Sequence, residues 1–420
     1  MGKQYSPKCP VDDVVYRMGL CVSGTHAYYY EPEEQIEKRL EYYKQLGFTA
    51  MRVETGWAEV EPEEGKIIVP RQHTVFRKAK EAGLRIKMAL HTAALVPNWY
   101  FQKHPGSLMV NQNGKAALIT PSYFAPGLRG HLTEALDNMM AYLQREGIMD
   151  SIDALVVDGG GPGGECAYPS GWTQSPGGFD NTTEADYFWG YDACSQQNFR
   201  ETMQKKYGTI AAANAAWDKD FSGFDEVEVP HPGKGDAFWE DYLIWYRDSK
   251  RAFMVEQVQM FQAAVDKYTG GRIRLIVYLP GYDVRDAEWE EAIRTGDGFV
   301  PVRVMCDSRF LIHTAMETGC WLQYTGFDNV EETRYLRRYM DAVGAGNIPF
   351  FGENSGQYDV VGNGTASFAL LMENGMAGID VTHSRWLFEN HDGKTPVSCI
   401  DAFKENMRLF REYLHSGSAG

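Results

Sequence analysis

Short apolar runs alternate along the chain with longer segments in which apolar residues recur at helical spacing. The eight runs begin near Val14, Thr49, Leu84, Ile152, Ile273, Trp321, Ile348 and Gly378. Nearly continuous apolar runs are typical of parallel strands whose outer face is covered by helices. After the first run, apolar residues repeat at helical spacing from Ile36 to Leu46, and Gly47 then supplies a stop. Eight strand–helix alternations predict an α/β fold, a single (β/α)8 TIM barrel.

Two long insertions interrupt the alternation. They cover residues 98–130, after the third predicted strand, and residues 159–235, after the fourth. Both follow the carboxyl end of a strand, which is the edge where barrels of this kind place their active sites. We expect one barrel domain over residues 1–415, with the site built from these loops, and a disordered tail at 416–420.

Composition and charge narrow the class of partner. The chain has 420 residues, 44% of them hydrophobic, and a formal net charge of −16. A nucleic-acid partner is not expected, because phosphate binding needs clustered Lys and Arg. A membrane partner is not expected either, since no apolar stretch approaches about 18 residues. Neutral ligands such as sugars suit this chain, and the sequence leaves open whether it forms a homo-oligomer.

Motifs for metals and cofactors are absent from the sequence. The seven cysteines show no CxxC spacing, and the ten histidines form no metal-binding cluster. The glycine-rich run GGGPGG lacks the lysine of a phosphate loop. We therefore expect no cofactor and no metal. Free thiols favour a cytoplasmic location; the alternative is secretion after removal of a signal peptide.

Acidic residues just past predicted strands are the candidate catalytic groups. Cleaving a glycosidic bond needs one carboxylic acid to protonate the leaving oxygen and a second carboxylate to attack the sugar or activate water. Glu165 lies in GGGPGGECAYPSGW after the fourth strand, Glu353 ends IPFFGE, and Asp328 lies in WLQYTGFDN. Structural alternatives remain open: a solvated loop for Glu165, an ion pair for Glu353 and an Asx turn for Asp328.

Further polar and aromatic residues near strand ends are candidates for binding a substrate. Glu54, inside the second strand, is expected to bind a sugar hydroxyl or to pair with a barrel arginine. The other candidates are Trp57, His91, Tyr168, Trp172, Tyr282, Tyr324, Asn354, Arg385 and Trp386. Many of the aromatic residues near the mouth are equally compatible with core packing.

Several of these segments resemble those of β-amylases, a family of TIM-barrel glycoside hydrolases. GPGGECAYPS, with Glu165, resembles the segment that carries the general acid of that family. VETGWAEVE with Glu54, MALH with His91, GENSGQYD with Glu353 and VTHSR with Arg385 resemble further segments in the same order. The resemblance implies that Glu165 is the general acid, and it places an aspartate, Asp328, where that family has its general base.

A second resemblance is to the barrels of retaining β-galactosidases. Residues 206–230 and the following WEDYLIWYRD are similar to a stretch of those enzymes. Their nucleophile is a glutamate that ends the seventh strand, which corresponds to Glu353. Together the resemblances imply a hydrolase of oligo- or polysaccharides with Glu165 as general acid and Glu353 as nucleophile. The alternatives are an inverting hydrolase with Asp328 as general base and a non-catalytic sugar-binding barrel.

Overall fold

Ten strands are present in the computed structural model, which describes residues 5–161, 164–169, 187–326, 329–353 and 364–417. The strands are β1 (Leu20–Ser23), β2 (Ala50–Gly56), β3 (Arg85–His91), β4 (Leu108–Val110), β5 (Ala116–Pro121), β6 (Ile152–Val156), β7 (Arg274–Leu279), β8 (Trp321–Tyr324), β9 (Phe350–Glu353) and β10 (Gly378–Val381). Eight of them close into a parallel barrel in the order β1, β10, β9, β8, β7, β6, β3, β2. The predicted TIM barrel is confirmed, and β4 and β5 form a separate antiparallel hairpin.

Helices connect the strands. They are α1 (Asp13–Met18), α2 (Glu33–Gln45), α3 (Trp57–Val60), α4 (His73–Glu81), α5 (Asn98–Lys103), α6 (Leu128–Arg145), α7 (Ala193–Tyr207), α8 (Ile210–Trp217), α9 (Ala237–Thr269), α10 (Asp286–Thr295), α11 (Val300–Arg303), α12 (Ser308–Thr318), α13 (Val330–Ala342), α14 (Gly364–Glu373) and α15 (Ile400–Ser416). Within the described residues, none of these helices is both long enough and apolar enough to cross a membrane.

The strands have two buried faces with different contents. In β2, Met51 and Val53 belong to the large apolar cluster between the barrel and its helices. Ala50, on the other face, belongs to a smaller cluster inside the barrel. Because side chains alternate along a strand, Arg52 and Glu54 share the inner face with Ala50. The barrel interior therefore receives charged side chains from strands that are otherwise apolar.

The first predicted strand is displaced. The run VVYRMGL, expected to be a strand from Val14, is mostly helical, because the Asp12 carboxylate accepts hydrogen bonds from the Val14 and Val15 amides at 2.9 and 2.8 Å and so caps α1. The strand begins only at Leu20. Val15 and Met18 of α1 pack in the inner apolar cluster, so the helix contributes to the floor of the barrel.

The two predicted insertions contain ordered structure. The hairpin β4–β5 and α5 lie in the first insertion, and α7 and α8 lie in the second. A long helix, α9, follows the second insertion. Ser416, which the prediction placed in the tail, is the last residue of α15. Residues 418–420 lie outside the described part of the chain.

The contact between Gly378 and Gly19 allows a test of the barrel packing. A Cβ at Gly378 would lie 2.2 Å from the Gly19 Cα, a backbone atom that cannot turn aside. Gly378→Ala should therefore lower the free energy of unfolding by about 1–3 kcal/mol or more, measured by urea denaturation. The matched control is Gly130→Ala, since a Cβ in that helical position meets nothing within 4 Å. The control should gain about 0.5–1 kcal/mol; equal stability of the two variants would contradict the packing.

Candidate active site

Arg52 lies at the centre of a buried charge network inside the barrel. Its side chain is 4% exposed. One Nη donates to Glu353 Oε1 at 2.8 Å and lies 3.1 Å from the Tyr278 hydroxyl, while the other Nη is 3.0 Å from Glu54 Oε1. One guanidinium thus holds carboxylates from two different strands.

Glu353, the last residue of β9, accepts hydrogen bonds from several donors in this network. Besides Arg52, Gln323 Nε2 donates to its Oε2 at 2.6 Å, and the Thr382 hydroxyl donates to its Oε1 at 3.0 Å. The net shift in the pKa of Glu353 is upward, because burial and nearby Asp380 outweigh Arg52, Gln323 and Lys87, which act in the opposite direction. A carboxyl that faces an arginine, an amide N–H and a hydroxyl is arranged as a carboxylate, because the charged form is the better acceptor.

A second layer of polar groups fixes the orientation of Gln323. Lys87, which is fully buried, lies 2.6 Å from the Gln323 Oε1 and 3.1 Å from Asp380 Oδ2. The Ser23 hydroxyl donates to the other oxygen of Asp380 at 2.7 Å. Burial raises the pKa of Asp380, but Lys87 and Arg52 outweigh it and the net shift is downward. Since the Gln323 oxygen is taken by Lys87, its N–H group must face Glu353.

Glu165 is half-buried and follows β6 in the glycine-rich loop. Its backbone carbonyl accepts from the amides of Gly161 at 3.1 Å and Ala167 at 2.9 Å. A Cβ at Gly159 would lie 2.4 Å from that carbonyl, and one at Gly161 would lie 2.7 Å away. The glycines are therefore required by the close approach of the backbone to itself around Glu165.

The carboxyl of Glu165 is in an environment that favours its neutral form. Burial and the charge of Glu353 raise its pKa to about 7, against a hydrogen bond from Thr325 and the charge of Arg52. Because Glu353 raises this pKa, the two carboxyls lie close enough for their charges to interact. At neutral pH, one of them can hold a proton while the other stays ionised.

A third carboxylate, Glu54, lies between two histidines. His26 Nε2 lies 2.9 Å from its Oε2, and His91 Nε2 lies 3.8 Å from the same atom. Burial opposes ionisation, but Arg52 and His26 hold the pKa of Glu54 well below its usual range. Burial likewise opposes the charged form of His91, yet Asp158 and Glu54 raise its pKa to about 10.

The structure brings four of the predicted site residues together: Glu165, Glu353, Glu54 and His91. One of the two expectations for Glu54, the pairing with a barrel arginine, is met by its contact with Arg52. Each of the four lies on or after the carboxyl end of a barrel strand, as the barrel architecture requires.

Three predicted substrate-binding aromatics are in the core instead. Trp57 is 2% exposed and donates to Glu61 at 2.8 Å. Tyr168 is 3% exposed and stacks on Tyr246 with ring centroids 4.1 Å apart. Tyr324 is fully buried and donates to the carbonyl of Gly281 at 3.0 Å. We correct the prediction for these three, because none presents a ring face on which a sugar could stack.

The other predicted residues are partly exposed or outside the described residues. Tyr282 donates to Glu288 at 2.8 Å, and the Arg385 guanidinium lies 4.8 Å from the ring centre of Trp386. Tyr282, Arg385 and Trp386 stay predictions for substrate binding. Asp328, Trp172 and Asn354 lie outside the residues that the structure describes.

The polar groups around Glu353 and Glu165 were not predicted from the sequence. They are Arg52, Lys87, Gln323, Thr325, Asp380 and Thr382. Arg52, Lys87, Gln323 and Asp380 each have an apolar residue on both sides within a strand. A single polar residue in a strand with two buried faces must find a partner inside the barrel, and this signal could have identified them.

An eight-stranded parallel barrel with two glutamates at the carboxyl ends of its strands places the chain among the TIM-barrel glycoside hydrolases. The model of glycoside hydrolase family 42, described as beta-galactosidase, matches residues 27–123 and 180–293, just over half of the chain. The chain belongs to this family. Both matched segments exclude Glu165 and Glu353.

Individual relatives carry both predicted resemblances. The beta-galactosidase of Thermus thermophilus is 26% identical over 255 residues, which cover 59% of this chain and 36% of that protein. The thermophilic beta-amylase of Thermoanaerobacterium thermosulfurigenes is 32% identical over 110 residues, 23% of this chain and 18% of that protein. The matches therefore span about a third or less of the length of these relatives.

A likeness in fold extends over nearly the whole chain. The crystal structure of the catalytic domain of beta-amylase from Paenibacillus polymyxa aligns with a TM-score of 0.73 at 20% identity. The alignment covers 92% of this chain and 96% of that domain.

The raised pKa of Glu165 predicts how stability depends on pH. Its usual pKa is 4.5 and its folded pKa is about 7, so folding favours the protonated form and stability from this group falls as pH rises from about 4.5 to about 7. Glu165→Gln mimics the neutral form, so the difference between its Tm and that of the wild type should increase as pH rises from about 4.5 to about 7. Above pH 7 the difference should stay constant. Thermal unfolding of both proteins from pH 4 to 8 measures the difference. Glu317→Gln, at an exposed position of α12, is the control and should give a flat difference; a flat difference for Glu165→Gln would contradict the assignment.

Proposed function

We propose that this chain is a retaining glycoside hydrolase that cleaves β-galactosides in oligo- or polysaccharides, with Glu165 as general acid and Glu353 as nucleophile. The observation that carries the proposal is a pair of glutamates on the same end of the barrel that have different neighbours. Glu165 has a pKa of about 7, and Glu353 is surrounded by hydrogen-bond donors. Enzymes that cleave glycosidic bonds require such a division of roles.

The proposed acid has a suitable pKa. A general acid works best when its pKa is near the working pH, because it is then protonated and still able to release its proton. With a pKa of about 7, Glu165 meets this condition. In the first step it would protonate the glycosidic oxygen of the leaving group, and in the second step its carboxylate would take a proton from water.

The proposed nucleophile is held in place rather than merely buried. Arg52 and Thr382 contact one oxygen of Glu353, and Gln323 contacts the other. These donors favour the ionised form of Glu353 against the effect of burial, and they limit the rotation of its carboxylate. A fixed carboxylate oxygen can attack the anomeric carbon while the bond to the leaving oxygen breaks.

The cluster around Glu54 would bind the sugar. Glu54 is ionised, with one carboxylate oxygen close to His26 and the other close to Arg52. Each oxygen can accept more than one hydrogen bond, so Glu54 retains acceptor capacity for a sugar hydroxyl. His91 is charged and can donate. Acceptors and donors on rigid strand ends are the groups that recognise hydroxyl pairs of a sugar ring.

A second candidate is an inverting, β-amylase-like hydrolase with Asp328 as general base. The likeness in fold to a beta-amylase catalytic domain over 92% of the chain favours it. In that case a water molecule, not Glu353, would attack the anomeric carbon. A non-catalytic sugar-binding barrel is the third reading, and it would bind a glycan without turnover.

Substrate class and stereochemistry can be measured together. We expect lactose and β-galactooligosaccharides to be cleaved, with maltooligosaccharides left intact, and proton NMR to show the β-anomer of galactose first. β-Maltose released from maltooligosaccharides would support the inverting alternative. Binding of these glycans without turnover of any of them would contradict both proposed hydrolase activities.

The acid role of Glu165 predicts a dependence on the leaving group. For Glu165→Gln, kcat/KM on phenyl β-D-galactoside should fall by about 10²–10⁴-fold, since this leaving group needs a proton. On 2,4-dinitrophenyl β-D-galactoside, whose leaving group needs none, kcat/KM should stay close to the wild type. Glu317→Gln, exposed on α12, serves as the matched control and should change neither value. Equal losses on the two substrates would show that Glu165 does not act as the acid.

A further inference from the structure

Lys250 is a buried lysine in the middle of α9, and it is 1% exposed. Its ammonium group has three oxygen neighbours. It donates to the Tyr123 hydroxyl at 2.6 Å, to the carbonyl of Ala167 at 2.6 Å and to the carbonyl of Gly159. All three protons of a charged lysine are therefore used.

Aromatic rings complete the surroundings of this ammonium group. It lies 4.8 Å from the ring centre of Tyr123, 5.3 Å from that of Tyr168 and 5.5 Å from that of Phe253. Ring faces attract a cation, and this attraction is stronger away from water. Burial lowers the pKa of Lys250 to about 8, with Asp158 acting in the opposite direction, so the lysine is charged at neutral pH.

The two carbonyls that Lys250 holds lie on either side of Glu165. The Gly159 amide donates to the Gly164 carbonyl at 3.0 Å, and the Ala167 amide donates to the Glu165 carbonyl at 2.9 Å. The loop thus folds back on itself, and the ammonium group bridges its two ends. Without that bridge, two backbone carbonyls in a buried place would lose a charged donor.

We propose that Lys250 is a positioning residue for Glu165, which it holds in place by tying Gly159 to Ala167 across the base of the loop. The proposal rests on the general-acid role proposed for Glu165. A buried charge contributes little net stability compared with an apolar side chain of similar volume. What it adds here is a fixed distance between the two loop ends, and acid catalysis is sensitive to displacements of about 1 Å.

The test compares leaving groups in Lys250→Met, which keeps the length of the side chain and removes its donors. On phenyl β-D-galactoside, kcat/KM should fall by about 10- to 100-fold, because the acid is misplaced. On 2,4-dinitrophenyl β-D-galactoside it should stay near the wild type. The pattern should match that of Glu165→Gln in kind and be smaller in size.

The matched control is Asp241→Asn, which alters another buried charge of the same helix. Asp241 is 4% exposed and accepts from Tyr207 at 2.7 Å and Trp217 at 2.9 Å, on α7 and α8 rather than on the loop. It should lower Tm without changing the ratio of kcat/KM on the two substrates. A Lys250→Met protein that loses Tm but keeps the wild-type ratio would overturn the proposal.

A milder variant covers the case in which Lys250→Met does not fold. Lys250→Gln keeps an amide that can donate to one of the carbonyls, so the change in ratio should be smaller and in the same direction; an unchanged ratio overturns the proposal. The Glu165→Gln measurement distinguishes failure of the positioning role of Lys250 from failure of the general-acid role of Glu165. If Glu165→Gln shows the leaving-group dependence and neither Lys250 variant does, only the positioning role is wrong; if Glu165→Gln shows none, both are.

Discussion

The contact between the Arg52 guanidinium and the Glu353 carboxylate, 2.8 Å long and shielded from water, is the interaction on which the site depends. The contact favours the charged form of the buried Glu353, next to Glu165, whose pKa is raised to about 7. Removing one member of a buried pair leaves an uncompensated charge that costs about 3–5 kcal/mol. The same arginine reaches Glu54, so the proposed nucleophile and the proposed sugar-binding acid share one source of positive charge.

The proposed difference in role between Glu165 and Glu353 follows from their neighbours, since the two side chains are identical. Glu353 has Arg52 and Gln323 at hydrogen-bond distance, whereas Glu165 has the Thr325 hydroxyl and the charge of Glu353 itself. Two carboxyls near each other do not both ionise easily, so the one with the stronger donors takes the charge. The barrel supplies this asymmetry by bringing residues of five strands, β2, β3, β8, β9 and β10, to one interior layer.

Much of the fold could be predicted because a parallel barrel leaves a simple apolar pattern. Seven predicted strands begin within two residues of the observed ones. The remaining strand, β1, begins later than predicted because Asp12 caps a helix where the apolar residues suggested a strand. Capping is a local hydrogen-bond effect, and the spacing of apolar residues does not reveal it. Glu353 was predicted as a site residue because a charge at the end of an apolar strand must face the barrel mouth or be paired. Glu165 was predicted from its position in the glycine-rich loop that follows β6.

Which residues meet in the rest of the site could not be predicted, because these contacts join segments that are distant in the sequence. Which face of β2 points inward, and hence that Arg52 meets Glu353, follows only from closing the barrel. Trp57 and Tyr324 were placed at the mouth because an aromatic near a strand end gives the same pattern whether it faces the cleft or the core. Lys250 contacts a residue 91 positions earlier in the chain, and nothing in the helical pattern of α9 indicates it.

The most direct test of the account is to trap the proposed intermediate. Incubation with 2-deoxy-2-fluoro-β-D-galactosyl fluoride, followed by mass spectrometry of the intact chain and its peptides, reports whether a carboxylate becomes bonded to the sugar and which one. We predict one fluorogalactosyl group per chain, attached to Glu353. An adduct on a different carboxylate, or turnover of galactosides with no adduct at all, would contradict the claim that Glu353 is the nucleophile beside a protonated Glu165.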